Sequence, residues 1–470
     1  MTVDHAWVPA ERWTRAAETM AEGHLSLVAL WGEPGIVHMA LSDVGDAATM
    51  RIMSLSTPDG CYPSVGAFHA PAIRLERAAA DLFGLMPQGL PDRRPWLKHS
   101  DAPYEFLPVE GDNLHQVPVG PVHAGIIEPG HFRFTADGET IVRLEARLGY
   151  AHKAVEALLR DAPLDRAARL AGRVSGDSTV AYALGFAQAV EVALGVSVPP
   201  RALWLRALMA EMERLANHLG DVGAICNDAA FSIMLAHCSV LRELILREAA
   251  ASFGHRLMMD RIIPGGVAAD LDSAGRDRIA ALMPELRRRF RPLVALYEKT
   301  ASILDRTVGT GILTAELAAS FAAGGFIGRA SGRNQDARRP GYAPYGELDF
   351  EVPVLSQGDV HARLWIRVLE IEQSLRLIEQ ITMRLPGGAV RAELPAREQP
   401  SEGSALVEGF RGDIFVWLSL KADGRIGRCH LRDPSWFQWP LLEAAIENNI
   451  IADFPLCNKS FNCSYSGVDL

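Results

Sequence analysis

Cysteine is scarce in this sequence. Its six cysteines stand at 61, 226, 238, 429, 457 and 463, and no two of them form a CxxC pair. Neither a disulfide framework nor a cysteine-rich zinc or iron–sulfur site is thereby indicated, and the expectation is packed or free thiols. Long apolar runs are missing too. The longest are short and interrupted, so no stretch reads as a bilayer-spanning helix. The first residues, MTVDHAWVPAERWTR, lack the apolar core of a signal peptide. Basic excess is absent as well: the net charge is -10, which argues against a nucleic-acid partner. The chain has no internal repeat and no low-complexity tract.

What is present suits a folded protein of two or three domains. The chain has 470 residues, of which 49% are hydrophobic and 22% charged. Residues 1–100 read as a small α/β unit. A helix is expected over Ala10–Glu22, and strand-length apolar runs follow at 25–32, 36–41 and 50–57, punctuated by Gly and Pro. A second helix is expected over Ile73–Leu82. Pro91-Asp92-Arg93-Arg94 closes the unit as an exposed turn, its arginines either solvated or gripping a partner's carboxylates. Residues 101–119 read as a linker. A hairpin is expected over 131–148, turning at Asp137-Gly138.

Helical sequence then dominates. Helices are expected at 151–160, 178–194, 201–220, 231–253, 273–290, 291–306 and 361–383. Strands follow at 413–421 and 427–433, then a short helix at WPLLEAAIENN. The fold class is therefore α+β: a small N-terminal unit, then a mainly helical bundle with small sheets at its ends.

One short stretch precedes the helix at 178–194. It reads Arg173-Val174-Ser175-Gly176-Asp177-Ser178 and places two serines three residues apart. Cys463-Ser464-Tyr465-Ser466 repeats that spacing near the end. Further on the acid–base side, His152 and Glu156 are spaced to share a helix face. Glu211, Arg214 and His218 share another, either as a buried structural ion network or as a charged path. Arg329, Arg333, Arg338 and Arg339 crowd one loop with Tyr342 and Tyr345, as a solvated basic loop or a packing surface.

Long ordered blocks then carry a family resemblance. They are GPVHAGIIEPGHF (120–132), HKAVE (152–156), AEMERLANHL (210–219), PGGVAADL (264–271), FEVPVLSQGDVHARLWIRVLEIEQSLRLI (350–378) and EGFRGDIF (408–415). From Gly120 to Leu470 the chain resembles the large subunit of membrane-bound (group 4) nickel–iron hydrogenases. It equally resembles the quinone-site, 49-kDa-type subunit of respiratory complex I. Within 61–95, the stretches YPS, ERAAADLFG and LPDRRP resemble the 30-kDa-type companion subunit, with Leu90 where that family's GHPD motif has histidine.

The resemblance implies where a metal would sit. Two CxxC pairs hold nickel and iron in those hydrogenases, and the matching positions here are Ser175, Ser178, Cys463 and Ser466. Nickel sites of this kind use soft, anionic sulfur, and a serine hydroxyl is hard and neutral. The expectation is a metal-free cavity at these four positions, with no cofactor bound by this chain. Asp177 adds an acid to it. His131 falls near the histidine that complex I places at its quinone site, although no tyrosine lies between Tyr150 and Tyr182. Glu156 matches the glutamate of the family's HRGxE motif, which implies proton handling together with His152.

The implied function is a hydrogenase-like subunit of a complex I-related assembly. It would pass electrons to a quinone or another small acceptor and couple this to proton or ion movement. The alternatives are a non-catalytic coupling scaffold or, last, a true hydrogenase. Implied partners are a small subunit carrying an iron–sulfur cluster, and antiporter-like and quinone-channel-like membrane subunits. The implied location is the cytoplasmic face of the membrane, held there by partners.

Overall fold

Short apolar runs with tight turns build the N-terminal sheet. In the computed structural model, which describes residues 4–44, 46–97, 99, 103–123, 127–339, 341–396 and 399–469, Leu25–Glu33, Ile36–Asp43 and Asp46–Ser56 form an antiparallel meander. Asp4–Trp7 joins its far edge in parallel with Asp46–Ser56. The helices Ala10–Ala21 and Ile73–Phe83 pack on this unit through Trp13, Ala17 and Met20, and through Leu75, Ala78 and Ala79. Residues 101–102 of the expected linker and 124–126 of the first family block lie outside the described residues.

The expected hairpin forms from His131–Asp137 and Thr140–Arg147. Leu114–Val119, inside the stretch read as linker, pairs with it as a third strand. Alternation along His131–Asp137 sends Phe132 and Phe134 into the core, while His131 and Arg133 stay half-buried on the other face.

The centre is helical. Thr179–Leu194 is apolar on all sides and nearly every residue is buried, so it can only be a central element. It lies against an antiparallel sheet of Ser401–Gly409, Gly412–Leu420 and Ile426–Arg432. The helix and the sheet touch backbone to backbone at Gly403, where a Cβ would collide with the carbonyl of Ala189. Around it run Pro200–Asp228, Ser232–Phe253, Ser273–Lys299 and Val360–Arg384.

Two helix boundaries differ from the sequence reading. The helix begun at 200 does not stop at Gly220 but continues to Asp228. Gly223 lets the next helix approach, since a Cβ there would stand 2.9 Å from that of Cys238. The helices expected at 273–290 and 291–306 are one helix to Lys299 followed by Ala301–Thr307. Leu286, Phe290, Leu293 and Tyr297 continue one buried stripe past Pro292, and that packing outweighs the proline.

The N-terminal unit shares its core with the end of the chain. Trp13, Leu27 and Tyr62 belong to one apolar cluster with Phe132, Trp439, Phe461, Cys463 and Tyr465. A second contact joins the two sheets. There Trp31 is stacked between the rings of His38 and His430, at 5.1 and 5.0 Å, with Trp417 at 5.2 Å. Among the described residues no helix is long and apolar enough to cross a membrane.

Candidate functional site

The R-V-S-G-D-S stretch is held at both ends. Arg173 forms a two-pronged ion pair with Asp260, at 2.8 and 2.7 Å, and Val174 is fully buried. Ser175 is extended, Gly176–Ser178 makes one 3-10 turn, and the central helix begins at Thr179. The C-terminal stretch has a parallel origin. Helix Phe454–Phe461 ends on Asn462 in the left-handed conformation, which turns the chain into Cys463.

The two stretches meet at Arg411, in the turn between strands Ser401–Gly409 and Gly412–Leu420. Its guanidinium grips both carboxylate oxygens of Asp177, at 2.9 and 2.6 Å, and donates to Ser178 Oγ at 3.2 Å. Its Nε donates to the carbonyl of Asn462 at 2.6 Å. Ser175 Oγ donates to Asp177 Oδ1 at 2.5 Å. On the C-terminal side, Ser466 N–H donates to Glu128 Oε2 at 3.0 Å, and Gly467 lies directly against Asp433. Asp433 in turn accepts from the hydroxyl of Tyr182 on the central helix, at 2.5 Å. Ser175, Ser178, Cys463 and Ser466 are all buried.

HKAVE straddles both stretches. Lys153 Nζ donates to the carbonyls of Arg173 and Val174, at 3.0 and 2.8 Å. His152 Nδ1 donates to the carbonyl of Asp469 at 2.9 Å. His152 and Glu156 do not share a helix face, contrary to the expectation from spacing. Ala154 adopts a left-handed conformation (φ 54°), the helix runs only from Val155 to Leu159, and the two side chains diverge. Glu156 points away into the sheet interface, where Arg428 at 2.6 Å, His430 at 2.9 Å and the Leu431 N–H at 3.0 Å surround it. Burial opposes its charge, but Arg428 and His430 overcome this and hold its pKa at about 2.

His131 stands elsewhere again. It lines a groove of about 510 Å3 with Tyr104, Phe106, Arg133, Arg147 and Tyr150. Its Nδ1–H donates to the Gly120 carbonyl at 3.2 Å, and burial lowers its pKa. Its neighbour Gly130 packs on the ring of Tyr465, so the hairpin touches the C-terminal stretch while His131 faces outward.

The donor set at the four positions does not fit nickel. The hydroxyls of Ser175 and Ser178 are tied into the Arg411–Asp177 pair. Burial pushes the Cys463 thiol up, with Arg411 only partly offsetting it, and this is the single sulfur among the four positions where such a site uses four thiolates. Burial also opposes the charge of Asp177, yet Arg411 holds this carboxyl below the usual range. One cation and one anion neutralise each other there, and no surplus of anionic ligand is left for a metal dication. Among the described residues, no three His, Cys, Asp or Glu side chains are grouped to hold a metal ion.

Four residues of this centre escaped the sequence reading: Arg411, Tyr182, Asp433 and Glu213. Glu213 accepts from Val180 and Ala181 N–H at 2.7 and 3.1 Å, at the start of the central helix. Burial raises its pKa to about 8. Arg411 and Glu213 lie inside conspicuous blocks, EGFRGDIF and AEMERLANHL, but nothing local marks which residues they reach. The arginine loop also reads differently in space. Arg329 and Arg338 are not solvated but fully enclosed, paired with Glu211, Asp336, Glu370 and Glu408. Arg94 grips Asp92 and Glu145 of its own chain, at 2.7 and 2.5 Å.

The ordered family blocks, on a helical body that joins the two stretches at one arginine, point to a hydrogenase-type large subunit. The comparisons agree. Residues 228–405 match the family model described as the respiratory-chain NADH dehydrogenase 49 Kd subunit. Formate hydrogenlyase subunit 5 of Escherichia coli (strain K12) is 30% identical over 436 residues, 87% of this chain and 77% of that protein. A carbon monoxide-induced hydrogenase of Rhodospirillum rubrum is 31% identical over 74% of this chain and 98% of its own length. An NADH-quinone oxidoreductase subunit of Roseiflexus sp. (strain RS-1) is 32% identical over 75% of this chain and 98% of its own. The chain belongs to the family of group 4 hydrogenase large subunits and complex I 49-kDa-type subunits.

Proposed function

We propose that this chain is a metal-free member of the family, an electron-transfer and coupling subunit of a complex I-related redox assembly. The carrying observation is the centre itself: hydroxyls stand at three of four ligand positions, and those of Ser175 and Ser178 are locked to the Arg411–Asp177 pair. Electrons come from an iron–sulfur cluster in a neighbouring small subunit and pass to a quinone or another small acceptor. The aromatic and cationic groove at His131 suits the ring of such an acceptor. The relatives' names describe components of multi-subunit enzymes, which supports docking to an iron–sulfur subunit and to membrane-arm subunits at the cytoplasmic face.

A coupling scaffold without its own acceptor site is the second reading. The burial of all four former ligand positions, with Arg411 reaching between the two stretches, favours it. Metal analysis of the purified assembly tests what both readings share: nickel should be far below one per chain, and stoichiometric nickel overturns both. His131→Ala then separates them. Acceptor reduction should fall roughly a hundredfold if His131 serves the acceptor. It should stay unchanged for a scaffold.

A further inference from the structure

Four carboxylates and three guanidinium groups form one buried cluster between the central helices and the C-terminal sheet. The acids are Glu211, Asp336, Glu370 and Glu408, and the cations are Arg214, Arg329 and Arg338. All seven are buried. Negative charge is therefore in excess by one, and a buried cluster does not tolerate an uncompensated charge. Arg367 also faces Glu370 but is paired with Asp221 at 3.0 Å, which leaves His218 as the neighbour among the described residues that could supply a cation. His218 meets Glu370 Oε2 through Nε2 at 2.7 Å, but its Nδ1 has no partner among the described residues. A second proton on that ring would be buried without an acceptor, so His218 is neutral. The missing positive charge must be a proton on a carboxylate.

The hydrogen bonds say which one. Glu211 accepts from Arg338, Tyr345 and Ser374. Glu370 accepts from Arg329 Nε and His218. Asp336 is clasped by Arg338 through Nε at 2.9 Å and Nη2 at 2.7 Å, and also accepts the Arg338 backbone N–H. Among the described residues Glu408 has only Arg329 Nη1 at 3.0 Å and the Ala337 N–H at 2.9 Å. That Nη1 is contested. It has two hydrogens but three acceptors: Glu408, Asp336 at 3.3 Å and the Gln335 carbonyl at 3.0 Å. Two carboxylates converging on one nitrogen favour keeping a proton between them.

Glu408 is also the acid with an exit. With Asp336 it lines a cleft of about 390 Å3 between the N-terminal sheet and the 322–352 region, whose other walls include Ser26, Asn334 and Arg339. That is ample room for water. The remaining charged groups around Glu408 are already engaged or stand off. Arg214 donates to its backbone carbonyl and that of Gly409. Asp413 is paired with Arg432, and Arg339 donates to the Phe350 carbonyl. Tyr342 is a half-buried and Tyr345 a buried phenol, and desolvation keeps both protonated.

We propose that Glu408 is a proton-exchange site, taking one proton from the cleft and returning it, and so sets the charge of the buried cluster. The step moves a proton from cleft water to the carboxylate and needs no electron. Its use in coupling rests on the function proposed above, whereas the proton binding itself does not. Burial and the neighbouring Asp336 raise the Glu408 pKa above the ordinary carboxyl range, toward neutrality.

Infrared difference spectra of the purified assembly between about pH 5 and pH 9 test this. A protonated-carboxyl band should disappear with a midpoint near neutrality and be missing from Glu408→Gln, which keeps the shape and an acceptor for Arg329. In Asp336→Asn the excess charge is gone, so the same band should titrate lower by about one pH unit or more. Loss of no band in Glu408→Gln, or an unmoved midpoint in Asp336→Asn, overturns the site. If Glu408→Gln loses the band yet drives acceptor reduction and ion movement at wild-type rates, the site stands and its role in coupling falls.

Discussion

Arg411 is a permanent cation with 6% of its side chain exposed, and Asp177 is the carboxylate that answers it. The two partners are unequal, because 34% of the Asp177 side chain reaches solvent. Asp177→Ala leaves a buried guanidinium without its counter-charge, and should lower stability to chemical denaturation by about 3 kcal/mol. Arg411→Met leaves an acid that water can still solvate, and should cost clearly less. Equal losses would show that the pair does not hold the centre. At this scale the sequence was informative about which positions matter and silent about their company. The serine spacing was visible in R-V-S-G-D-S. Arg411 was not, because its contact with Asp177 spans the whole bundle. His152 and Glu156 misled, because their spacing has meaning only in a continuous helix and Ala154 does not provide one.

The central helix Thr179–Leu194 is capped at its start by Glu213 of the next helix. The two backbone N–H groups favour the carboxylate, but burial outweighs them and raises the pKa from the ordinary 4.5 to about 8. The folded chain therefore binds this proton more tightly than the unfolded chain. The resulting stability is complete below about pH 4.5 and is lost as pH rises toward about 8. Glu213→Gln should flatten the fall of stability across that window, by at most about 1.4 kcal/mol per pH unit. Denaturant titrations at a series of pH values measure it, and parallel slopes in both proteins would reject it. Most helices were legible from apolar period and flanking Gly or Pro. The failures at Gly220 and Pro292 have one cause. A breaker residue weakens a helix locally, and a buried stripe running through it restores more than is lost.

The whole molecule is sealed from both ends of the chain. The α+β class and the order of the long helices could be read from sequence, since they follow from local pattern, whereas the strands Asp4–Trp7, Leu114–Val119 and Ser401–Gly409 could not. The sealing could not, because it depends on which faces meet. The N-terminal sheet lies on the C-terminal sheet, and Trp13, Leu27 and Tyr62 share a core with Phe461 and Tyr465. Trp31 sits at that seam, stacked between an imidazole from each sheet. It is thus a built-in optical gauge. A tryptophan removed from water emits at shorter wavelength than a hydrated one, so parting of the sheets should shift its light to the red. Trp31→Phe should delete that part of the spectral change seen as denaturant opens the chain. An undiminished shift in the variant would show that the colour is set elsewhere. With this gauge, movement of the N-terminal unit against the helical body can be followed by its emission during turnover, without an added label.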